Sequence, residues 1–165
     1  MVIVSTQTPR GGELDRTLSE QLTKVAGFCI KELKLTRFNA ILNIIVSKRK
    51  GYLSGGVGGY CCAWKEELGH HGKVWNVDIE LAHVGRGEMM STLCHEMIHA
   101  KQYLRKELSA DGDKWKGKTF KVGPRDVFAL KSPWEKEAYK LEEKIFKKLT
   151  THVDFNWIKR YNINF

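Results

Sequence analysis

The stretch GEMMSTLCHEMIHAKQYLR, residues 87–105, constrains the fold more than any other part of the sequence. It has an acid, Glu88, near its start and a base, Arg105, at its end, as the helix macrodipole favours. At about 100° per residue, its apolar residues cover one broad arc. They are Leu93, Met97, Ala100 and Leu104, widened by Met90, Cys94 and Ile98. Such a helix must be packed on several sides, so the rest of the chain has to surround it.

The same helix carries the pattern H-E-x-x-H, formed by His95, Glu96 and His99. The two histidines lie almost opposite the main apolar stripe. Residues four apart project in the same direction, so the two imidazoles can share one tetrahedral Zn²⁺. Glu96 lies beside them and can act on a water molecule without being a ligand itself. The alternative is that both histidines only fill polar gaps in a packed helix, which leaves Glu96 unexplained.

A catalytic zinc needs a third protein ligand, and the last helix offers a carboxylate. The segment SPWEKEAYKLEEKIFKKL begins with Ser132 as N-cap and Pro133 as first helical residue. Glu135 falls within the apolar arc of this helix, whereas Glu137 falls outside it among lysines. A carboxylate aimed at a buried surface is costly unless it is paired or bound to a metal, which favours Glu135 as the ligand. An ordinary first-turn acid is the alternative, and the other candidates are Glu137, Asp111 and Asp113.

Two further residues of the last helix are expected to support the predicted metal site. Glu142 lies two turns beyond Glu135 on the same face and is expected to partner a ligand. Tyr139 lies one turn beyond Glu135, where it can orient a ligand or donate a hydrogen bond to a developing oxyanion. The alternative for Tyr139, a tyrosine simply packed in the core, is what such a position more often indicates.

The remaining patterns predict an α+β fold. DRTLSEQLTKVAGFCIKEL has the 3.6-residue periodicity of an N-terminal amphipathic helix, and RFNAILNIIVSKR is typical of a strand. SGGVGGYCCAW and KVWNVDIEL predict two more strands of a small antiparallel or mixed sheet. KWKGKTFKVGPRDVFALKS, between the two later helices, predicts a hairpin or flap around Gly123-Pro124 that walls a cleft.

Composition limits the classes of protein to consider. With 165 residues, 42% of them hydrophobic, the chain is expected to form one domain over residues 1–165. No apolar run approaches a membrane span, and the N-terminus lacks the pattern of a targeting signal, so we expect a cytoplasmic protein without membrane contact. The four cysteines have no C-x-x-C spacing and are expected to be reduced and buried: Cys29, Cys61, Cys62 and Cys94.

The formal charge of +9 implies weak attraction to polyanions, including nucleic acid. Its densest segment, KEAYKLEEKIFKK, has lysines at helical spacing beside glutamates. That pattern is more typical of a solvated helix face than of a nucleic-acid groove.

The chain resembles a zincin metallopeptidase in the order of its elements: a helix, strands, TLCHEMIHA, an insert, and PWEKEA on a final helix. HEMIHA after a VDIEL strand is similar to the SprT-like family. The likeness extends from about residue 13 to residue 149. SprT-like proteins supply a third histidine before a Gly-x-x-Phe stretch, and Lys116 of KGKTF stands at that place here. Glu135 of PWEKEA instead resembles the E-x-x-A ligand of gluzincins. The resemblance implies a small gluzincin-like protease with a SprT-like core and no zinc ribbon.

The function expected from these residues is zinc-dependent hydrolysis of a protein or peptide, with Zn²⁺ on His95, His99 and Glu135 and with Glu96 as general base. One alternative is a SprT-like protease associated with DNA. A second is a non-catalytic metal-binding module that docks nucleic acid through its basic surface, and a third is an amidase or peptidoglycan hydrolase with the same site chemistry. A structural zinc site is closed by four protein ligands and needs no base, so Glu96 favours an enzyme.

Overall fold

A mixed four-stranded sheet packed against helices forms the framework in the computed structural model, which describes residues 1–67, 73–120 and 132–161. In chain order the elements are β1 (Val2–Gln7), α1 (Arg16–Glu32), β2 (Ala40–Lys50), β3 (Gly59–Glu67), β4 (Lys73–His83), α2 (Arg86–Leu104), β5 (Lys114–Trp115), β6 (Lys118–Thr119) and α3 (Pro133–Thr151). Short 3₁₀ segments occupy Pro9–Gly11, Ser54–Gly56 and Val153–Tyr161. The predicted α+β class is therefore correct at this level.

The sheet has the strand order β1-β2-β4-β3. Strands β1, β2 and β4 are parallel, and β3 pairs antiparallel with β4 at one edge. Along β2 buried and partly exposed residues alternate, as expected when helices cover one face of a sheet. The prediction of a mixed sheet is confirmed, and β3 runs along the edge of the sheet next to α2.

Strand β1 is an element that the sequence patterns left unassigned. Val2 pairs with Ala40 of β2 and Gln7 pairs with Ile45, in parallel register. The strand contains the β-branched residues Val2, Ile3, Val4 and Thr6, which was the available signal. Its pairing partner lies more than thirty residues away in the chain, so the sequence has no hairpin turn that would indicate this pairing.

Helix α1 connects β1 to β2 and packs against β1 and α2. Its N-cap is Asp15, whose carboxylate accepts a hydrogen bond from the Leu18 backbone N–H at 2.9 Å. The buried residues of the helix follow the predicted periodicity: Leu18, Leu22, Val25, Ala26, Cys29 and Ile30. This helix therefore fills the core beneath the parallel strands.

Helix α2 lies at the centre of the molecule, in contact with α1, α3, β3 and β4. Its apolar side chains are almost completely buried: Met89, Met90, Leu93, Cys94, Met97, Ile98, Ala100 and Leu104. Polar side chains of the same helix are buried as well, namely Glu96, His99, Lys101 and Gln102. The prediction of a helix packed on several sides is confirmed, and each of these buried polar groups requires a partner.

Helix α3 packs against α2 and begins as predicted, with Ser132 accepting a hydrogen bond from the Glu135 backbone N–H and Pro133 in the first turn. Its buried residues are Trp134, Ala138, Ile145, Phe146 and Leu149. Because α3 presents this stripe to α2, its first turns lie directly over the H-E-x-x-H segment.

A short hairpin precedes α3. Strands β5 and β6 pair around Lys116 and Gly117, both with positive φ, and Trp115 joins Leu108 and Trp134 in a small apolar cluster. The predicted turn at Gly123-Pro124 lies outside the described residues.

The four cysteines are free thiols, not disulfides. Cys62 is only half-buried, so the expectation that all four are buried is wrong for this residue. Among the described residues, helices that combine the length and the apolarity of a membrane span are absent.

Candidate metal centre

Helix α2 brings the two histidines of H-E-x-x-H together through their spacing of four residues. Their ring centroids are 4.9 Å apart, and His95 Nε2 lies 3.1 Å from His99 Nε2. Both side chains are nearly buried, with 12% and 9% of their surface exposed. Two nitrogen atoms therefore face the same small region of space at the bottom of a cleft.

Helix α3 supplies a carboxylate to the same region. Glu135 Oε2 lies 3.2 Å from His95 Nε2, and Glu135 Oε1 lies 3.1 Å from His99 Nε2. The side chain of Glu135 is 15% exposed. The three residues form a group that can hold a metal ion, and it is this carboxylate, predicted from helical phase, that the fold places beside the imidazoles.

The other ring nitrogen of His95 is held by a hydrogen bond that sets its protonation. His95 Nδ1 lies 3.0 Å from Glu142 Oε2, and Ser91 Oγ donates to Glu142 Oε1 at 2.7 Å. A carboxylate only accepts hydrogen bonds, so Nδ1 carries a proton, and Nε2 is the nitrogen that must lose its proton for this ring to bind a metal. Glu142 thus has the supporting role expected for it from the sequence.

The protonation of His99 is set by a longer chain of hydrogen bonds. The amide nitrogen of Gln102 donates to the Trp134 carbonyl at 3.0 Å and to Glu137 Oε2 at 3.1 Å. Both are acceptors, which fixes the orientation of the amide and turns Gln102 Oε1 towards His99 Nδ1 at 2.8 Å. His99 Nδ1 is therefore the donor, which leaves His99 Nε2, like that of His95, as the nitrogen that can bind a metal once it carries no proton.

The donor set fits a divalent cation. When both rings are neutral, two nitrogen lone pairs and one carboxylate face each other with no hydrogen atom between them. A cation bound among these atoms stabilises this arrangement. Metal–ligand bonds of about 2.0–2.1 Å in a tetrahedral site place the donor atoms about 3.3–3.4 Å apart. The two Nε2 atoms are 3.1 Å apart, and each lies 3.1–3.2 Å from one of the two oxygens of Glu135, which is close to that value.

Protons compete with a metal at these atoms. Burial opposes the charged form of His95, but hydrogen bonds with Glu135 and Glu142 outweigh burial and raise the pKa of His95 to about 10. Burial likewise opposes the ionised form of Glu135, yet hydrogen bonds with His95 and His99 lower the pKa of Glu135 to about 2. A metal ion must therefore displace a proton from an imidazole, so its apparent affinity rises with pH.

Glu96 lies next to this group but is bonded to none of its members. The side chain is 5% exposed, and burial raises the pKa of its carboxyl to about 7. Strand β3 passes close to it at Gly59: a Cβ atom at this position would lie 2.8 Å from Glu96 Oε1 and 2.6 Å from Thr92 Cγ2. Glycine at position 59 is thus what leaves room for the Glu96 carboxylate beside the edge strand.

The group opens into a cleft of about 810 Å³. One wall comes from the loop and strand around Gly56–Cys61, and the other comes from α3 and the residues around Asp111. Tyr139 lies on the α3 wall, with its ring 4.7 Å from that of His95. It is 49% exposed, so the alternative of a tyrosine packed in the core is wrong: its side chain extends into the cleft.

The other candidate ligands lie apart from the group. Asp111 and Asp113 line the cleft, where Asp113 accepts a hydrogen bond from Ser109 Oγ at 2.8 Å. Lys116, at the place of the SprT-like histidine, has its ammonium 3.5 Å from Glu137 Oε1. Within residues 1–67, 73–120 and 132–161, these side chains share no metal-sized group with the histidines.

Glu137 corrects a prediction. The helical phase of α3 placed it in solvent among lysines, but it accepts hydrogen bonds from Lys101 Nζ at 2.8 Å and from Gln102 Nε2 at 3.1 Å. Lys101 is 6% exposed and also pairs with Glu107 at 2.6 Å. Sequence analysis missed this cluster, although a lysine and a glutamine in an otherwise apolar helix were a signal that acceptors lie nearby.

The chain matches no protein-family profile, no curated protein and no solved structure.

Proposed function

We propose that this chain is a zinc-dependent metallopeptidase of the zincin type, with His95, His99 and Glu135 as metal ligands. The observation that carries the proposal is the convergence of two imidazole nitrogens and one carboxylate at the base of an open cleft and next to a buried acid. The two Nε2 atoms are 3.1 Å apart, and each lies 3.1–3.2 Å from one oxygen of Glu135. Two imidazoles and one carboxylate are the ligand set of catalytic zinc sites that keep one position for substrate or water. A purely structural site needs a fourth protein ligand, and the described residues offer three in this group.

Zn²⁺ held by these residues supplies Lewis-acid activation of water and of a carbonyl group. The residues of the chain perform the proton transfers. Glu96 takes the proton of the attacking water and delivers it to the leaving amine, because its carboxylate adjoins the metal group and is not consumed as a ligand. Tyr139, half-exposed beside His95, donates a hydrogen bond to the oxygen that becomes negatively charged.

The resemblance to SprT-like proteins supports a polypeptide substrate, and the cleft of about 810 Å³ is large enough for a chain segment. Its wall contains the edge strand β3 and its floor contains α2. Association with DNA, which the SprT-like resemblance also suggests, is the second form of this proposal, because the net charge is +9.

The deciding experiment combines metal content with turnover. Purified protein is expected to hold about one Zn²⁺ per chain and to cleave an unfolded protein substrate. Glu96→Gln keeps the shape of the side chain but removes the base, so it should retain zinc while hydrolysis falls by about 10²–10⁴-fold. Zinc content is measured by atomic emission and hydrolysis by the release of peptides, with and without single-stranded DNA.

The control is His95→Ala with His99→Ala, which should lose stoichiometric zinc. Undiminished turnover in the Glu96→Gln protein would refute the assignment of the base. Zinc at one per chain in the double histidine variant would refute the assignment of the site.

A further inference from the structure

A second hollow, of about 350 Å³, adjoins the cleft at Tyr103. The two share Tyr103, Leu108 and Ala110 in their walls, so they are neighbours on the surface. Tyr103 follows His99 by four residues in α2, which corresponds to about 6 Å along the helix. An extended polypeptide advances about 3.3 Å per residue, so a segment bound at the metal group reaches the hollow within two or three residues.

Three lysines surround this hollow: Lys65, Lys106 and Lys114. Across the part of the chain that the structure describes, none of them forms an ion pair with an acid. Lys65 instead holds its ammonium 4.8 Å from the centre of the Trp75 ring, and Lys114 exerts only a longer-range attraction on Asp111.

The acid of the hollow, Glu107, pairs with Lys101 at 2.6 Å. Lys101 also pairs with Glu137, which has a second cation, Lys116, at 3.5 Å. Two ammonium groups thus face two carboxylates, so the charge of Glu107 is balanced within the protein. The hollow as a whole is therefore positive.

The adjoining cleft has the opposite character. Its charged lining consists of carboxylates and histidines, and the described residues of its wall include no lysine or arginine. The lining acids are Glu96, Asp111, Asp113, Glu135 and Glu142. The charge of the lining thus changes sign across Tyr103, and a bound chain that crosses this residue meets a distinct preference for charge on each side.

We propose that the hollow is a specificity site that takes an acidic side chain, aspartate or glutamate, of a polypeptide lying in the cleft. The inference rests on the proposed peptidase function and adds the charge of the substrate to it. Its apolar walls, Trp75 and Leu108, accommodate the methylene groups of the side chain, while the three ammonium groups receive the carboxylate. Exposed lysines make weak individual pairs, so the combined preference is on the order of tenfold.

The test uses zinc-loaded full-length protein and a set of peptides that differ at one position. Each position within three residues of the cleaved bond carries Glu, Gln or Lys in turn, and kcat/KM is measured for each peptide. We expect one position at which Glu is preferred over Gln by about tenfold and over Lys by more. In the Lys65→Glu/Lys106→Glu protein this order should reverse, because the hollow is then negative.

Lys144→Glu is the matched control. It makes the same kind of charge change at an exposed position of α3 and should leave the preference as in the wild type. Equal kcat/KM for the Glu, Gln and Lys peptides at all positions would overturn the specificity site while leaving the peptidase function intact.

A binding measurement distinguishes failure of the specificity site from failure of the peptidase function. Fluorescence anisotropy of labelled Glu, Gln and Lys peptides on the Glu96→Gln protein reports charge preference without turnover. If no peptide were hydrolysed by the wild type, the peptidase function would fail, and equal binding of the three peptides would then overturn the site as well. Displacement of the Glu peptide by a single-stranded oligonucleotide, lost in Lys65→Glu/Lys106→Glu, would assign the hollow to nucleic acid and overturn the proposal.

Discussion

Two carboxylates of α3, only two residues apart, both lie against α2 but contact different kinds of partner. Glu137 meets the buried ammonium of Lys101 at 2.8 Å, so the chain itself provides the balancing cation. Glu135 meets the Nε2 atoms of His95 and His99, whose Nδ1 atoms are both committed to acceptors. One cluster is complete as folded, whereas the other can hold a cation that the polypeptide does not contain.

The difference teaches that burial of a carboxylate does not by itself identify a ligand. What distinguishes Glu135 is the orientation of its neighbours, because both imidazoles direct Nε2 at it while their Nδ1 atoms are committed to acceptors. Gln102 joins the two clusters, since its amide nitrogen donates to Glu137 and its oxygen accepts from His99. The structural ion pair thus helps to orient a candidate metal ligand.

The largest effect should come from removing the internal cation. Lys101→Ala leaves Glu107 and Glu137 without their buried partner, and loss of one member of a buried pair costs about 3–5 kcal/mol. Urea denaturation in the presence of a chelator measures this loss in the free energy of unfolding. Lys144→Ala, at an exposed site, should change that free energy by no more than about 0.5 kcal/mol. A loss seen only with zinc present would mean that the two clusters are not distinct.

The next effect concerns the other carboxylate. Glu135→Gln retains the size of the side chain but removes its charge, so zinc affinity should fall by more than about 100-fold, or about 2.7 kcal/mol. Glu137→Gln, two residues away, should lower zinc affinity by less than about tenfold, because it acts only through Gln102. Competition with a chromophoric chelator gives both values. Similar losses in the two variants would break the distinction drawn between Glu135 and Glu137.

The smallest effect tests the support of His95. Glu142→Gln keeps an acceptor for His95 Nδ1 but removes its negative charge, so zinc affinity should fall by about tenfold. Glu143→Gln changes an exposed neighbour on the same helix and serves as the control in the same chelator competition. Equal affinity of the Glu142 variant and the wild type would show that Glu142 only fills space.

The elements with strong local signals were predictable from sequence. Helix α3 begins at Ser132 and Pro133 as the capping pattern predicts, and α2 is buried on several sides as its wide apolar arc predicts. Strand β1 was not predicted, although a turn pattern at residues 9–12, PRGG, follows it. A parallel strand pairs with a partner far along the chain, so its six residues have no neighbouring strand in the sequence to indicate the pairing.

Within the site, helical phase placed Glu135 correctly and failed for Glu137. The periodicity of a helix depends only on the residues of that helix. It indicates which side of α3 is apolar, but it cannot indicate that a long side chain of α2 contacts α3. Lys101 is such a side chain, since its stem passes through the interior to reach Glu137. The hydrogen bonds of Gln102, which set the protonation of His99, depend in the same way on atoms of two helices.

The separation of the ligands along the chain has a consequence for how the protein is made. His95 and His99 leave the ribosome together, but Glu135 follows 36 residues later (135 − 99). Until α3 has been synthesised and has docked, a nascent chain can offer only a two-histidine half-site, which holds zinc weakly. Under the proposed assignment of the ligands, secure loading of a metal would therefore report that the last helix is in place.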